Sequence, residues 1–125
     1  MSGAEKTETI LVADDEPQIR EIVHTLLTRQ GYTVVTAANG QEALEKFIVD
    51  PAAFDLLVTD IVMPGMDGIS SYKEMTKINP ALKVIYMSGF ADNLPPYVHI
   101  ILKPFNPVQL LHMIRTVLDN KLLDL

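Results

Sequence analysis

Phe54-Asp55-Leu56-Leu57-Val58-Thr59-Asp60-Ile61-Val62-Met63-Pro64-Gly65-Met66-Asp67-Gly68 is the stretch around which the chain is organised. Leu56, Leu57 and Val58 form a continuous apolar run, the pattern of a strand buried on both faces, and Pro64, Gly65 and Gly68 interrupt it soon after Asp60. Asp60 is thereby placed at the carboxyl end of a central strand. In open α/β sheets ligands bind at that edge, so a carboxylate there is a candidate for chemistry. Asp also caps strands and turns, so its company elsewhere in the chain has to decide between the two readings.

Upstream, Thr9–Ala13 reads as a second buried strand and runs straight into Asp14-Asp15-Glu16-Pro17. Pro17 suits the first position of a helix, and Ile19, Ile22, Val23, Leu26 and Leu27 recur at helical spacing to give an apolar stripe that ends before Gly31. Residues 32–37 are rich in β-branched side chains and predict a strand. Asn39 with Glu42 three residues on has the form of a capping box, opening a helix with Leu44, Phe47 and Ile48 inward and Pro51 as its stop. Downstream, Asp67 caps a helix predicted over 68–79, with Ile69, Tyr72, Met75 and Thr76 roughly on one side and Pro80 closing it. Residues 83–87 predict a fourth strand, followed by Ser88-Gly89, and His99–Leu102 a fifth, followed by Lys103-Pro104. Asn106-Pro107 with Gln109 opens a last helix, with Val108, Leu111, Ile114, Val117 and Leu118 inward. Strand and helix alternate throughout. That pattern demands a parallel sheet covered by helices on both faces and joined by right-handed crossovers.

Composition narrows the function classes. The 125 residues suit one domain over 1–125, with 48% hydrophobic and 21% charged residues, ordinary values for a soluble globular fold. No apolar run approaches the roughly 20 residues of a membrane span, and residues 1–8 are polar and mixed in charge, so neither signal peptide nor anchor is expected. The absence of cysteine excludes disulfides and thiolate metal sites and fits a reducing compartment, with a cytoplasmic location expected. A net charge of −6 argues against direct nucleic-acid binding, which rests on Lys and Arg neutralising phosphates. His24 and His112 fall on helix flanks and His99 begins a strand, so none is placed for phosphodonor or ligand duty. Met63 and Met66 read as loop and core packing, and Leu122, Leu123 and Leu125 as a frayed helix end.

The polar residues fall where a parallel sheet would gather them. Asp14, Asp15, Asp60, Ser88 and Lys103 each lie just past an apolar strand, and all such strand ends share one edge. Three converging carboxylates repel unless a cation sits among them. With oxygen donors and neither His nor Cys, the ion expected is hard, Mg²⁺ or a similar divalent cation. Lys103 adds a fixed positive charge and Ser88 a hydroxyl donor, both suited to phosphoryl oxygens, and a carboxylate can itself act as nucleophile to give an aspartyl phosphate. Rival chemistries lack their letters. Tyr86 stands where a hydrolase elbow needs Gly, no Gly-Lys-Ser/Thr loop exists, and Val62 stands where a haloacid-dehalogenase-type phosphatase carries a second Asp. Asp14-Asp15-Glu16 would repel a flavin phosphate.

Taken together, these residues make the chain resemble a response-regulator receiver domain of two-component signalling, similar to the chemotaxis regulators. The resemblance covers nearly all of 9–120. It rests on Asp14-Asp15, on Asp60 followed by Met63-Pro64-Gly65-Met66-Asp67-Gly68, on Ser88-Gly89 and on Lys103-Pro104-Phe105. It implies a flavodoxin-like, doubly wound sheet of five parallel strands in the order 2-1-3-4-5. It further implies that Asp60 is the phosphoacceptor, and that Asp14, Asp15, Asp60 and the backbone carbonyl of Val62 hold the metal. Ser88 then bonds the phosphoryl group, Lys103 pairs with its oxygens, and the Lys103-Pro104 bond is cis. The only catalysis implied is on itself, phosphorylation from a phosphohistidine and autodephosphorylation. The partners implied are a sensor histidine kinase or histidine phosphotransfer protein and an unidentified downstream protein, without nucleic acid or membrane.

Two departures from the family pattern carry expectations of their own. Counted through His99, the first residue of the fifth strand, only the eleven residues 89–99 follow Ser88, with Pro95-Pro96 among them, so the family's fourth helix is expected to be missing or much reduced. Ile100 stands where the family usually has an aromatic ring that swings inward on activation, and Tyr97 is out of register, so the Ser88 half of the switch is expected to survive without its aromatic half. Val62 offers no side-chain polar group to orient water, which predicts slow self-hydrolysis. With helix and strand using up the chain, no output domain is expected, leaving a single-domain regulator or the receiver of a larger protein such as a hybrid kinase. The competing reading is a receiver-shaped interaction module that works without phosphorylation.

Overall fold

The computed structural model describes residues 7–89 and 99–119. In chain order these form β1 (Thr9–Ala13), α1 (Pro17–Arg29), β2 (Thr33–Ala37), α2 (Gly40–Val49), a 3₁₀ turn at Pro51–Ala53, β3 (Leu56–Asp60), α3 (Gly68–Ile78), β4 (Lys83–Ser88), β5 (His99–Leu102) and α4 (Pro107–Leu118). All pairings are parallel and the strand order is β2-β1-β3-β4-β5. Every residue of β3 is buried, as its unbroken apolar run requires of a central strand. Among the described residues no helix is long and apolar enough to cross a membrane.

The period of two along each strand sorts the core into two layers. Ile10, Val12, Leu56, Val58, Ile85 and Met87 face one way, against Val23 and Leu27 of α1 and Leu110, Ile114 and Val117 of α4. Leu11, Ala13, Leu57, Val84 and Tyr86 face the other, against Ala43 and Phe47 of α2 and Met75 of α3. Ile100 packs, partly buried, against this second layer.

The helices begin where their caps direct. Asn39 accepts the N–H of Glu42 at 2.8 Å, while the Glu42 carboxylate reaches back to Ala38 N, one residue earlier than a strict capping box. Asp67 accepts Ser70 N at 2.7 Å, and Asn106 accepts Val108 N at 2.7 Å. The inward faces are largely those expected, with single residues departing. Ile22 is 53% exposed, Ile48 51% and Val108 72%, and Leu110 takes the buried place in α4. In each case the helix carries apolar residues on more than one arc, and its direction across the sheet selects which arc is covered. The expected loss of the helix between β4 and β5, Pro95-Pro96 and Tyr97 lie outside the described residues, as do Leu122, Leu123 and Leu125.

Candidate functional site

The carboxyl ends of β1, β3, β4 and β5 meet at one edge and bring Asp14, Asp60, Ser88 and Lys103 together. Asp14 is fully buried, Asp60 and Ser88 nearly so, and Asp15 is exposed beside them. The Lys103 ammonium donates to Asp14 Oδ2 at 2.8 Å and to Asp60 Oδ2 at 3.2 Å. One carboxylate oxygen each from Asp14, Asp15 and Asp60 lies within 4.8 Å of the others. Asp15, Asp60, Val62, Ser88 and Lys103 line a common cleft of about 280 Å³. The structure thus brings Asp14, Asp15, Asp60, Val62, Ser88 and Lys103 to one edge of the sheet.

Backbone bonds fix this geometry. Lys103 N donates to Ser88 O at 2.7 Å, tying the end of β5 to that of β4, and Ile61 N donates to Met87 O at 3.1 Å, tying β4 to the chain beyond Asp60. The Lys103-Pro104 peptide bond is cis. Gly68, the first residue of α3, donates its N–H to Ile61 O at 2.9 Å, and a Cβ on it would strike the Asp60 carbonyl and the Thr59 side chain. Only glycine lets α3 start this close to the strand end.

The electrostatics are those of a site with more anion than cation. Burial pushes the Asp60 carboxyl above its ordinary pKa; Lys103 opposes this, and Asp14 and Asp15 reinforce it. Burial works against the charge of Lys103, but its bonds to Asp14 and Asp60 outweigh that and hold its pKa above the ordinary value. Both groups are biased toward keeping a proton, and a cation among the carboxylates would relieve that bias. The donor set, carboxylates without nitrogen or sulfur, fits a hard divalent ion.

Sequence reasoning missed two contacts. Glu16 accepts from Lys103 Nζ at 3.2 Å, making a third acid on that ammonium, and Arg20 Nη1 donates to the Asp14 carbonyl at 2.7 Å. The run Asp14-Asp15-Glu16 was a signal for the first. Nothing in the sequence signals the second, because Arg20 reaches the strand end only across the first turn of α1.

The fold and this acidic edge are those of a receiver domain, and the comparisons agree. Residues 10–115 match the model of the response regulator receiver domain, so the chain belongs to that family. It is 36% identical over 116 residues to the response regulator receiver protein CpdR of Brucella abortus (strain 2308), covering 87% of this chain and 95% of the relative. It is also 36% identical over 120 residues to the sensor kinase CckA of the same organism, covering 90% of this chain but 13% of that one. Among solved structures, the receiver domain of the hybrid histidine kinase CckA superposes with a TM-score of 0.79 at 31% identity, over 88% of this chain and 98% of that one. The response regulator TrrA of Thermotoga maritima, solved in complex with Mg²⁺-BeF, gives 0.80 at 33% identity, over 89% and 99%. The protein is a receiver domain of two-component signalling with an acidic pocket, of the class that works with histidine kinases or phosphotransfer proteins.

Proposed function

We propose that the chain, read as a single receiver domain over 1–125, accepts a phosphoryl group on Asp60 and switches the binding of a protein partner. The observation that carries this reading is the position of Lys103, whose ammonium joins Asp14 to Asp60 at the meeting of three strand ends. Asp14, Asp15, Asp60 and the Val62 carbonyl would hold Mg²⁺, a reading supported by the clustered carboxylate oxygens and by the Mg²⁺-BeF complex of the Thermotoga relative. When bound, the ion neutralises charge on phosphoryl oxygens.

The Asp60 carboxylate oxygen attacks phosphorus in line with the P–N bond of a phosphohistidine, and that bond breaks as the imidazole leaves. Lys103 pairs with the phosphoryl oxygens, and the Ser88 hydroxyl at the end of β4 donates to them. Water later cleaves the acyl phosphate. The Val62 side chain at the mouth is 66% exposed and has no polar atom to orient that water, which supports slow self-hydrolysis. The donor is a sensor histidine kinase or histidine phosphotransfer protein. A cytoplasmic location fits such a donor.

Intact mass after incubation with acetyl phosphate and Mg²⁺, with and without chelator, tests the reading. The wild type should gain one phosphoryl group only with metal, and Asp60→Asn none. No gain by a folded, metal-bound wild type would leave an interaction module that acts without phosphorylation.

A further inference from the structure

Glu16 occupies the N-cap position of α1, yet its side chain makes no capping bond there. Its carboxylate turns instead to Lys103 Nζ at 3.2 Å, while its own N–H is fixed on Asp14 Oδ1 at 2.9 Å. A lysine ammonium has three protons, and Asp14, Asp60 and Glu16 supply three acceptors. Asp14 and Asp60 are buried parts of the site, whereas Glu16 stands at the cleft mouth with its side chain 61% exposed. A phosphoryl group arriving on Asp60 needs oxygen contacts to the same ammonium, and the exposed acceptor is the one that can be displaced.

We infer that Glu16 is a positioning residue that competes with the phosphoryl group for Lys103, and that its charge at the cleft mouth sets how fast Asp60 takes phosphoryl groups from anionic donors. The inference rests on the transfer to Asp60 proposed above. With acetyl phosphate, the Asp60 oxygen forms the new bond to phosphorus while the bond from phosphorus to the acetate oxygen breaks. Acetate leaves with the electron pair, and no proton need move. The donor is a dianion at neutral pH, so Glu16 repels it on approach and holds the lysine that should receive it. Once Glu16 is displaced it returns to solvent at little cost.

Glu16→Gln keeps the size of the side chain and removes no cap. In single-turnover phosphorylation at fixed Mg²⁺ and low ionic strength, the variant should react with acetyl phosphate roughly three- to tenfold faster, the effect of one unit charge on a dianion in a largely aqueous setting. The gain should shrink toward unity near 1 M KCl, where the Debye length is about 3 Å. It should also be smaller with phosphoramidate, a monoanionic donor. A merely structural role would move neither dependence. Equal rates for variant and wild type at low salt, or a gain that ignores both salt and donor charge, would overturn the inference while leaving phosphorylation of Asp60 in place. A wild type that takes up no phosphoryl group overturns both.

Discussion

Asp60 carries a charge that the fold resists. Its pKa in the folded state is raised, chiefly by burial, so the folded chain holds the proton more tightly than the unfolded chain. Its contribution to stability is therefore full below the unfolded carboxylate pKa and is lost as pH rises through the folded value. In Mg²⁺-free buffer the wild type should match Asp60→Asn at acid pH and fall below it as that window is crossed. Urea denaturation of both proteins at a series of pH values measures the difference, and a difference that stays constant with pH would refute the assignment. Lys103 makes the same point from the other sign. Its ammonium is held above its ordinary pKa by Asp14 and Asp60 despite burial, so it stays charged throughout this range.

At the scale of elements, two close approaches set where the site's backbone lies. Gly68 abuts the Asp60 carbonyl, and Gly40 at the start of α2 abuts the Met66 carbonyl, while Ser71 of α3 donates to Gly40 O at 2.9 Å. The loop that contains Val62 is thus braced between α2 and α3. Gly68→Ala should push α3 off the strand end, lowering stability by about 1–3 kcal/mol and weakening Mn²⁺ binding read by water-proton relaxation. Unchanged metal affinity would show that the brace does not position the site. The helix faces teach what the sequence withheld. Alternation of strand and helix, and the residues just past each strand, were legible because period and punctuation are local. The face of α4 was legible in Leu111, Ile114, Val117 and Leu118 but not in its first turn, since Val108, Leu110 and Leu111 are all apolar and only the helix's direction chooses among them. Leu110→Ala should cost about 2–5 kcal/mol, against within about 0.5 kcal/mol for Val108→Ala, as thermal or urea unfolding would report. Equal costs would show that Val108 packs inward as the sequence suggested. Glu16 was only half legible, for another reason. The acidic run Asp14-Asp15-Glu16 marks it, but an exposed acid looks like surface until the fold delivers Lys103 from the far end of the chain.

At the scale of the whole molecule, the acidic cluster exists only in the folded chain. Asp14 and Asp15 follow β1 and Asp60 ends β3, and the pairing of those strands, Ala13 opposite Thr59, brings them to one edge. The unfolded chain offers the same carboxylates dispersed, so a divalent ion held by the cluster would favour the native state and its binding energy would become folding energy. Mg²⁺ at ten times its dissociation constant should raise stability by about 1.4 kcal/mol, the logarithmic gain of a one-site ligand. Asp14→Asn should lose most of that gain, because Asp14 is both a cluster member and the strongest tie on Lys103. Differential scanning calorimetry of wild type and variant with and without Mg²⁺ measures it. The comparison must be made at constant ionic strength, since a chain of net charge −6 gains from any cation through general screening. A gain shared equally by Asp14→Asn, or reproduced by K⁺ at matched ionic strength, would mean that the ion acts on the overall charge of the protein. A gain confined to the wild type and to divalent ions would tie the stability of the sheet to the site at its edge.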